Sequence, residues 1–216
     1  MHAGELCRAL SSLIAPPLCG GCGRPCLGQE PICAGCRAAV ASARGGRAEL
    51  AGVGPVTWAT RYDGAARGLV SALKFQGRLR LALVLAQALA AALPVQPDAA
   101  TIVAVPAAPR RRRRRGFDPA ELVAAALAAE LELPLAAPLR RADGPRQVGR
   151  PRVDRLATPP RVRALGPVAG PVLVVDDVLT TGATLRACAE ALRAAGAIRI
   201  SAGVFARALG DSGLGA

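Results

Sequence analysis

Histidine, lysine and aromatic side chains are nearly missing from this 216-residue chain, and each shortage narrows its function. The one histidine, His2, belongs to no motif, so we expect no catalysis by a histidine base. Aromatic residues make up 2% of the chain, too few for a row of rings that stacks on nucleic-acid bases. No apolar run approaches the ~20 residues of a transmembrane helix, and the N-terminus lacks the basic start of a signal peptide. We therefore expect a cytoplasmic protein without a membrane span.

What the chain has in excess is apolar sequence and arginine. Hydrophobic residues are 52% of the total, which excludes a disordered protein, and the length allows one core with a small appendage. The net charge of +13 permits contact with a polyanion such as nucleic acid. Lys74 is the only lysine among 28 basic residues, however, and this bias accompanies abundant Ala, Gly and Pro. The charge alone is therefore not diagnostic of a nucleic-acid partner.

The most informative stretch is a buried strand that ends at two carboxylates. Residues 172–175 are apolar and mostly β-branched, the pattern of a parallel strand covered on both faces. Asp176 and Asp177 follow, so the pattern predicts both acids at the carboxyl edge of a sheet. From 184 to 195 the apolar period becomes helical, and residues 198–205 form the next predicted strand.

The loop between this strand and helix has the composition of a phosphate-binding loop. Its glycine lets the backbone approach an anion, its hydroxyls donate hydrogen bonds, and the helix N-terminus adds partial positive charge. The two acids would then accept hydrogen bonds from ribose hydroxyls and attract Mg²⁺ bound to other phosphates. Each piece alone also fits a polar strand end and a helix capped by Thr180 or Thr181. Together they indicate a site for a phosphorylated ribose, with the loop residues Thr180, Thr181, Gly182, Ala183 and Thr184.

Six of the seven cysteines precede residue 40, and four of them form two Cys-x-x-Cys pairs. Each pair can bend around one tetrahedral Zn²⁺, and neighbouring glycines permit the tight turns required. Such spacing fits a reducing cytosol better than disulfides, and no thioredoxin-like strand and helix surround it. We predict one structural zinc bound by Cys19, Cys22, Cys33 and Cys36. Cys26 is an alternative to a member of the first pair.

Ahead of the two acids, strands and helices alternate in the predicted order. The periodicity indicates a strand over 56–62, helices over about 65–75 and 79–93, and a buried strand over 101–105. Asp118, followed by proline, is a good N-cap for a further helix to about residue 131. The alternation predicts an α/β fold with a mostly parallel sheet.

Basic residues stand where two of these elements end. Lys74 stands at the end of the first helix. It is either a solvated helix end or a cation that binds a pyrophosphate, and the sequence barely distinguishes the two interpretations. The arginines from 110 to 115 follow the strand that ends at Val105 and Pro106, near the edge where open α/β sheets bind ligands. Like charges repel, so we expect this run to be solvated unless an anion is present.

Three stretches lack regular periodicity and suggest the domain organisation. Residues 43–54 are interpreted as a linker between residues 1–45, an N-terminal helix with the zinc module, and a main domain over 52–208. Residues 134–170 are too long for a plain connector and are interpreted as a mobile flap rather than partial disorder. The last residues, 209–216, are predicted to be a disordered tail.

The acids and the loop, in this order and without spacers, resemble the phosphoribosyl pyrophosphate (PRPP) motif of type I phosphoribosyltransferases. With other segments they resemble one bacterial family, the ComF/GntX proteins, in which a zinc ribbon precedes such a domain. The resemblance covers most of residues 15–206 in the family's order. Besides the cysteine pairs and the two acids with their loop, the resemblance rests on Tyr62-Asp63-Gly64 with Ala72-Leu73-Lys74-Phe75, Val105-Pro106 with Arg115-Gly116-Phe117-Asp118, and Leu139-Arg140 with Gln147 and Arg155.

This resemblance implies a type I phosphoribosyltransferase-like fold, with a mostly parallel five-stranded core, flanking helices and a small N-terminal zinc ribbon. It implies binding of PRPP with Mg²⁺ and phosphoribosyl transfer to an unknown acceptor, linked in some members to DNA uptake in competence. Asp176 and Asp177 would be the catalytic acids. The implied PRPP contacts are Val105, Pro106, Arg110, both acids and residues Thr180 to Thr184, and the candidate pyrophosphate or substrate contacts are Lys74, Arg115, Gln147 and Arg155.

The chain departs from the family at three places outside the PRPP loop. Asp118 and Pro119 stand where the family has Asn and Gln, Gly144 where it has Thr, and Thr158 where it has Asn.

Two functions stay open. An enzyme would need positioning and Mg²⁺ more than side-chain acids or bases. A binding module would instead hold single-stranded DNA through its arginines, with PRPP or a nucleotide as regulator and DNA-uptake proteins as partners.

Overall fold

Helices and strands alternate over most of the computed structural model, which describes residues 17–26, 30–94, 99–142 and 160–208. The described helices are α1 Ala34–Ala41, α2 Gly64–Gln76, α3 Leu81–Ala92, α4 Pro109–Arg115, α5 Pro119–Glu130 and α6 Ala183–Ala194. The described strands are β1 Gly46–Leu50, β2 Gly54–Arg61, β3 Thr101–Ala104, β4 Leu135–Ala136, β5 Leu139–Arg141, β6 Val162–Ala164, β7 Pro171–Leu179 and β8 Arg199–Arg207.

Six of these strands form one sheet in the order β1-β2-β8-β7-β3-β4. Strands β2, β8, β7, β3 and β4 run parallel, and β1 is antiparallel to β2 at the edge. The prediction of an α/β fold with a mostly parallel core is confirmed, and β1 adds a sixth strand. In the described residues, β5 and β6 pair separately as an antiparallel ribbon.

The edge strand β1 corrects the prediction of a linker over residues 43–54. The glycines that suggest a linker are turn residues, because Gly52 and Gly54 have φ of +80° and +118°. Gly46 packs so close to Trp58 that a Cβ there would lie 2.4 Å from the indole ring. The hairpin therefore requires glycine at these positions. The same glycines interrupt the alternating pattern of β1, so the sequence does not reveal this short strand.

The core lies on both faces of the sheet, because side chains of a strand alternate between them. In β7, Leu173 and Val175 face the cluster formed with α2, α3 and α5. Val172 and Val174 face the cluster formed with α6. The predicted burial of this strand on both faces is confirmed. No helix in the described part of the chain is long and apolar enough to cross a membrane.

The cysteine-rich segment packs directly on helix α2. A Cβ built at Gly68 would lie 1.8 Å from the carbonyl oxygen of Gly21, and one at Gly20 would lie 2.7 Å from a methyl group of Leu81. Arg78 donates a hydrogen bond to the carbonyl of Leu18. The close approach of the Gly68 and Gly21 backbones leaves no room for a side chain, so the segment and the helix fit as one packed unit.

Several predicted features lie outside the described residues. They are His2, the predicted N-terminal helix, the disordered tail over 209–216, and residues 143–159 of the predicted flap, which include Gln147 and Arg155. The described parts of residues 134–170 form strand β4 at the sheet edge and the β5-β6 ribbon. The flap, the tail and the domain boundaries therefore stay predictions.

Candidate functional site

Strand β7 continues through the two acids instead of ending before them. Its pairing with β8 extends to Leu179, opposite Arg207. On its other side β3 ends at Ala104, which is opposite Val175, and the N–H of Val105 makes a last hydrogen bond of 2.9 Å to the carbonyl of Val175. Asp176 and Asp177 thus follow the end of β3, where the edge of the sheet opens. On the side of β7 that pairs with β3, the prediction that the two acids lie at the carboxyl edge of the sheet is confirmed.

Asp177 forms a buried ion pair with Lys74, at the C-terminal end of α2. Lys74 Nζ lies 2.6 Å from Asp177 Oδ1, and the two side chains are 23% and 7% exposed. This contact excludes the interpretation of Lys74 as a solvated helix end. It also holds the only lysine of the chain beside the acid that we predict to face the ribose.

Asp176 is half-buried and accepts a 2.8 Å hydrogen bond from the N–H of Asp177. Burial raises the pKa of its carboxyl, and the adjacent charge of Asp177 raises it further, while Lys74 and the N–H group oppose the shift. A ligand that brings Mg²⁺ or hydrogen-bond donors would favour the ionised carboxylate. The protein alone therefore stabilises the ionised form of Asp176 poorly, and a cationic or hydroxyl-rich ligand would supply the missing stabilisation.

The acids open into a cleft of about 290 Å³ at the carboxyl edge of the sheet. Anionic and cationic side chains line it together, the arrangement expected for a ligand that carries both phosphates and hydroxyls. Its walls include eight of the predicted site residues: Lys74, Val105, Pro106, Arg115, Asp176, Asp177, Thr180 and Thr184.

The arginine run contributes two cations to the cleft, the predicted Arg115 and Arg111, which was not predicted. Residues 110–115 form helix α4 with Pro109 in its first turn and Gly116, at φ +80°, after its end. Arg111 and Arg115, one turn apart, line the cleft, whereas Arg110 is exposed and is not among the lining residues. Sequence reasoning missed this helix because six like charges favour an extended, solvated run.

The predicted phosphate loop, residues 180–184, is closed by Gly182, the N-cap of α6. Its φ of +74° requires glycine, and a Cβ there would lie 2.8 Å from Leu50. Neither Thr180 nor Thr181 is the N-cap residue, although the Thr181 hydroxyl accepts a hydrogen bond of 3.4 Å from the N–H of Ala183. Arg186 fixes the loop from the helix, because it donates hydrogen bonds to the carbonyls of Thr181, at 2.8 Å, and of Ala51, at 3.0 Å.

Asp118 fixes the opposite wall of the cleft. As predicted, it caps its helix by accepting a hydrogen bond of 3.1 Å from the N–H of Ala120. It also accepts one of 2.7 Å from the N–H of Ala107, in the segment that follows β3. Burial raises the pKa of this carboxyl against the opposing hydrogen bonds. The residue that departs from the family pattern therefore shapes the segment containing Val105 and Pro106.

Besides Asp118, three polar residues line the cleft that were not predicted as site residues: Tyr62, Arg111 and Arg141. Arg141 is half-buried, and burial together with the charge of Arg111 lowers its pKa. A signal for it exists in the alternation of β5, since Leu139 is buried and residues two apart share a face of a strand. Tyr62 directly follows β2 and belongs to a segment that carries the resemblance, but no local pattern marked it as a site residue.

Four cysteines converge near the N-terminal end of the described chain. The Sγ atoms of Cys19, Cys22, Cys33 and Cys36 all lie within 4.8 Å of one another. Cys22 and Cys33 are 3.8 Å apart, the separation that Zn–S bonds of about 2.3 Å give in a tetrahedron. Cys26 is buried nearby but is not a member of this group. The all-thiol donor set fits a structural zinc ion.

Backbone N–H groups donate hydrogen bonds to two of these sulfurs and favour the thiolate form of Cys19. Gly21 and Cys33 each donate to Cys19 Sγ at 3.3 Å, and Cys36 donates to Cys33 Sγ at 3.4 Å. Burial raises the pKa of Cys19, but the N–H groups more than offset it and lower the pKa overall. A low thiol pKa favours metal binding because the thiolate is the ligand.

We expect protein purified without chelator to contain about one zinc per chain. Cys22→Ser should lose this metal and unfold the N-terminal module, since so small a segment buries little surface without its ion. Metal analysis by mass spectrometry measures the stoichiometry. Cys26→Ser is the matched control and should keep the full zinc content; its loss would show that Cys26 is a ligand, and a folded metal-free module would exclude the site.

Comparison with known proteins agrees with the geometry. Residues 113–212 match the family model of the phosphoribosyl transferase domain, a range that contains β7, both acids, the loop and α6. The chain therefore carries a phosphoribosyltransferase-type domain. No curated protein matches it.

Two solved structures resemble the chain weakly. One, described as the allosteric regulatory enzyme of purine biosynthesis, is 20% identical over 59% of this chain and 26% of its own, with a TM-score of 0.43. UMP synthase of Leishmania donovani is 17% identical over 95% of this chain and 35% of its own, with a TM-score of 0.36. The chain thus spans about a quarter and a third of these proteins.

Proposed function

We propose that the protein is a phosphoribosyltransferase that binds PRPP with Mg²⁺ in the cleft and transfers the phosphoribosyl group to an acceptor base. The observation that carries the proposal is the junction of two acids with a hydroxyl-rich helix N-terminus, inside the residues that match the domain family. The ComF family and a role in DNA uptake are part of this proposal, supported by the cysteine cluster that precedes the domain.

Each part of PRPP has a chemically suitable wall. The loop from Thr180 to Thr184 offers hydroxyls and helix N–H groups to the 5′-phosphate. Asp176 and Asp177 offer acceptors to the ribose hydroxyls. Lys74, Arg111 and Arg115 offer cations to the pyrophosphate, beside Val105 and Pro106. The carboxylates also fit Mg²⁺, which prefers oxygen ligands and which, when bound with PRPP, neutralises the leaving pyrophosphate.

The reaction needs no protein base, which agrees with the near absence of histidine. The acceptor nitrogen forms a bond to C1 of the ribose while the pyrophosphate leaves with the electron pair of the C–O bond, and the proton of the acceptor nitrogen passes to the released pyrophosphate. Positive charge builds on the ribosyl group between these events, and the two carboxylates would stabilise it electrostatically. The cationic side chains would stabilise the negative charge gained by the pyrophosphate.

A second candidate function is retention of single-stranded DNA. Helix α4 favours it, because Arg110 and Arg114 are exposed and do not line the cleft. Contact through phosphates alone would be independent of sequence and steeply dependent on salt. In this case PRPP or a nucleotide would regulate binding. A cytoplasmic location suits either function, since the zinc thiolates need a reducing compartment.

We expect calorimetry to show binding of PRPP in the presence of Mg²⁺, and pyrophosphate release when the correct base is added. The assay uses purine and pyrimidine bases, with DNA retention at rising salt measured on the same protein. Base-dependent pyrophosphate release establishes the enzyme. PRPP binding without release, together with DNA binding that Arg110→Ser/Arg114→Ser abolishes, establishes the module instead. Absence of PRPP binding contradicts the proposed function.

A further inference from the structure

Phe75 is the one aromatic side chain that this fold leaves in water. All five aromatic residues belong to the described part of the chain, and Phe75 is 64% exposed. Phe205 is fully buried, while Trp58, Tyr62 and Phe117 are partly buried and pack against the core clusters. Phe75 contributes little to either cluster, so burial in the core does not account for a large apolar ring at this position.

The ring stands at the rim of the cleft. Phe75 directly follows Lys74, whose ammonium group contacts Asp177. From the other side, the guanidinium carbon of Arg115 lies 5.2 Å from the centre of the Phe75 ring. Arg115 itself lines the cleft, and its Nε is buried without a hydrogen-bond partner. The C-terminal ends of α2 and α4 thus meet at this ring.

This arrangement suits a planar base beside phosphates. An exposed aromatic ring stacks on nucleobases of any sequence, because every base has a π face. The ion pairs formed within the described residues, namely Glu30 with Arg37, Lys74 with Asp177, and Arg112 with Glu121, do not involve Arg115. Its charge therefore stays available, and it would disfavour a cationic base while favouring a neutral or acidic base with carbonyl groups.

We propose that Phe75 is the stacking platform for the acceptor, a planar nitrogen heterocycle that is neutral or acidic. The platform rests on the proposed function, since the base must lie near C1 of a ribose held by Asp176 and Asp177. The position at the rim leaves the cleft itself to the phosphates and the sugar. The same ring would hold the base of the nucleotide product before it dissociates.

The test compares ligands that share ribose and phosphate but differ in the base. Calorimetry measures ribose 5-phosphate and the 5′-monophosphates of adenine, guanine, hypoxanthine, cytosine and uracil on the full chain. At least one nucleotide should bind the parent about tenfold more tightly than ribose 5-phosphate, an advantage within the range of one stacked base. Phe75→Leu should remove this advantage and leave ribose 5-phosphate unchanged, whereas Phe75→Tyr should keep it.

Leu79→Ala serves as the control, because it removes another exposed apolar side chain, 46% exposed, that does not line the cleft. Equal loss of nucleotide and ribose 5-phosphate in Phe75→Leu would overturn the platform and assign Phe75 to the positioning of Arg115. An unchanged nucleotide affinity in Phe75→Leu, or the lack of any advantage in the parent, would also overturn it. If the parent binds neither ribose 5-phosphate nor PRPP with Mg²⁺, the proposed function fails and the platform with it.

Discussion

Replacing Asp176 and Asp177 together by asparagine should lower the affinity for PRPP with Mg²⁺ by at least ~100-fold. Hydrogen bonds to charged groups contribute about 1.5–3 kcal/mol each, so the loss of two ionic acceptors reaches this size. The amides keep the shape of the side chains but carry no negative charge for a ribosyl cation or for Mg²⁺. Calorimetry with PRPP gives the affinity, and pyrophosphate release gives the rate.

A stability control is needed because Asp177 also neutralises Lys74. Removing one partner of a buried pair costs about 3–5 kcal/mol, and the partial exposure of Lys74 places the expected loss at or below the lower end. Lys74→Met/Asp177→Asn removes both charges and should recover most of the stability lost in Asp177→Asn. Glu130→Gln makes the same carboxylate-to-amide change at an exposed helix end and should leave PRPP binding intact. A folded double asparagine variant that binds like the parent would disprove the site.

Gly68→Ala should destabilise the protein by about 3 kcal/mol or prevent its folding. The added Cβ would lie 1.8 Å from the carbonyl oxygen of Gly21 and 2.7 Å from its carbon, and a backbone group cannot rotate away as a side chain can. Overpacking in rigid surroundings costs about 1–3 kcal/mol and occasionally more. At this chain length each 1 kcal/mol lowers Tm by about 2–4 °C, so thermal unfolding should shift by roughly 10 °C.

The same substitution in open space should act in the opposite direction. Gly35 lies in helix α1, and a Cβ there meets no atom within 4 Å. Gly35→Ala should therefore gain up to about 1 kcal/mol from helix propensity alone. Equal, small effects at Gly35 and Gly68 would show that the cysteine segment does not contact α2 as described.

The sequence reveals the site where its signal is local. The buried strand, the two acids, the loop and the helix are consecutive, so a change of apolar period is enough to predict them. The paired cysteines are likewise recognisable by spacing, and the structure brings all four together. Asp118 was predicted as a cap from two adjacent residues, and its hydrogen bond to Ala120 confirms this.

The parts that were missed depend on contacts between distant residues. The edge strand β1 forms because the chain turns back on β2 through two glycines, which in sequence look like linker residues. Arg111 lines the cleft together with the predicted Arg115 because α4 is a helix, whose residues face the cleft only once per turn. Arg141 reaches the cleft from a ribbon whose partner strand comes more than twenty residues later. Periodicity does not report any of these long-range pairings.

Strand β1 also determines where this chain can be divided. Leu50 lies against Gly182, and the backbone carbonyls of Ala51, Gly52 and Val53 accept hydrogen bonds from Arg186 and Arg193 of α6. A fragment that starts at residue 52 would retain every residue of the predicted phosphate loop but lose Leu50 and Ala51, which contact it or the arginine that fixes it. In a gene fusion or a domain exchange, the transferable unit therefore begins no later than Gly46, so that the hairpin stays with the candidate site.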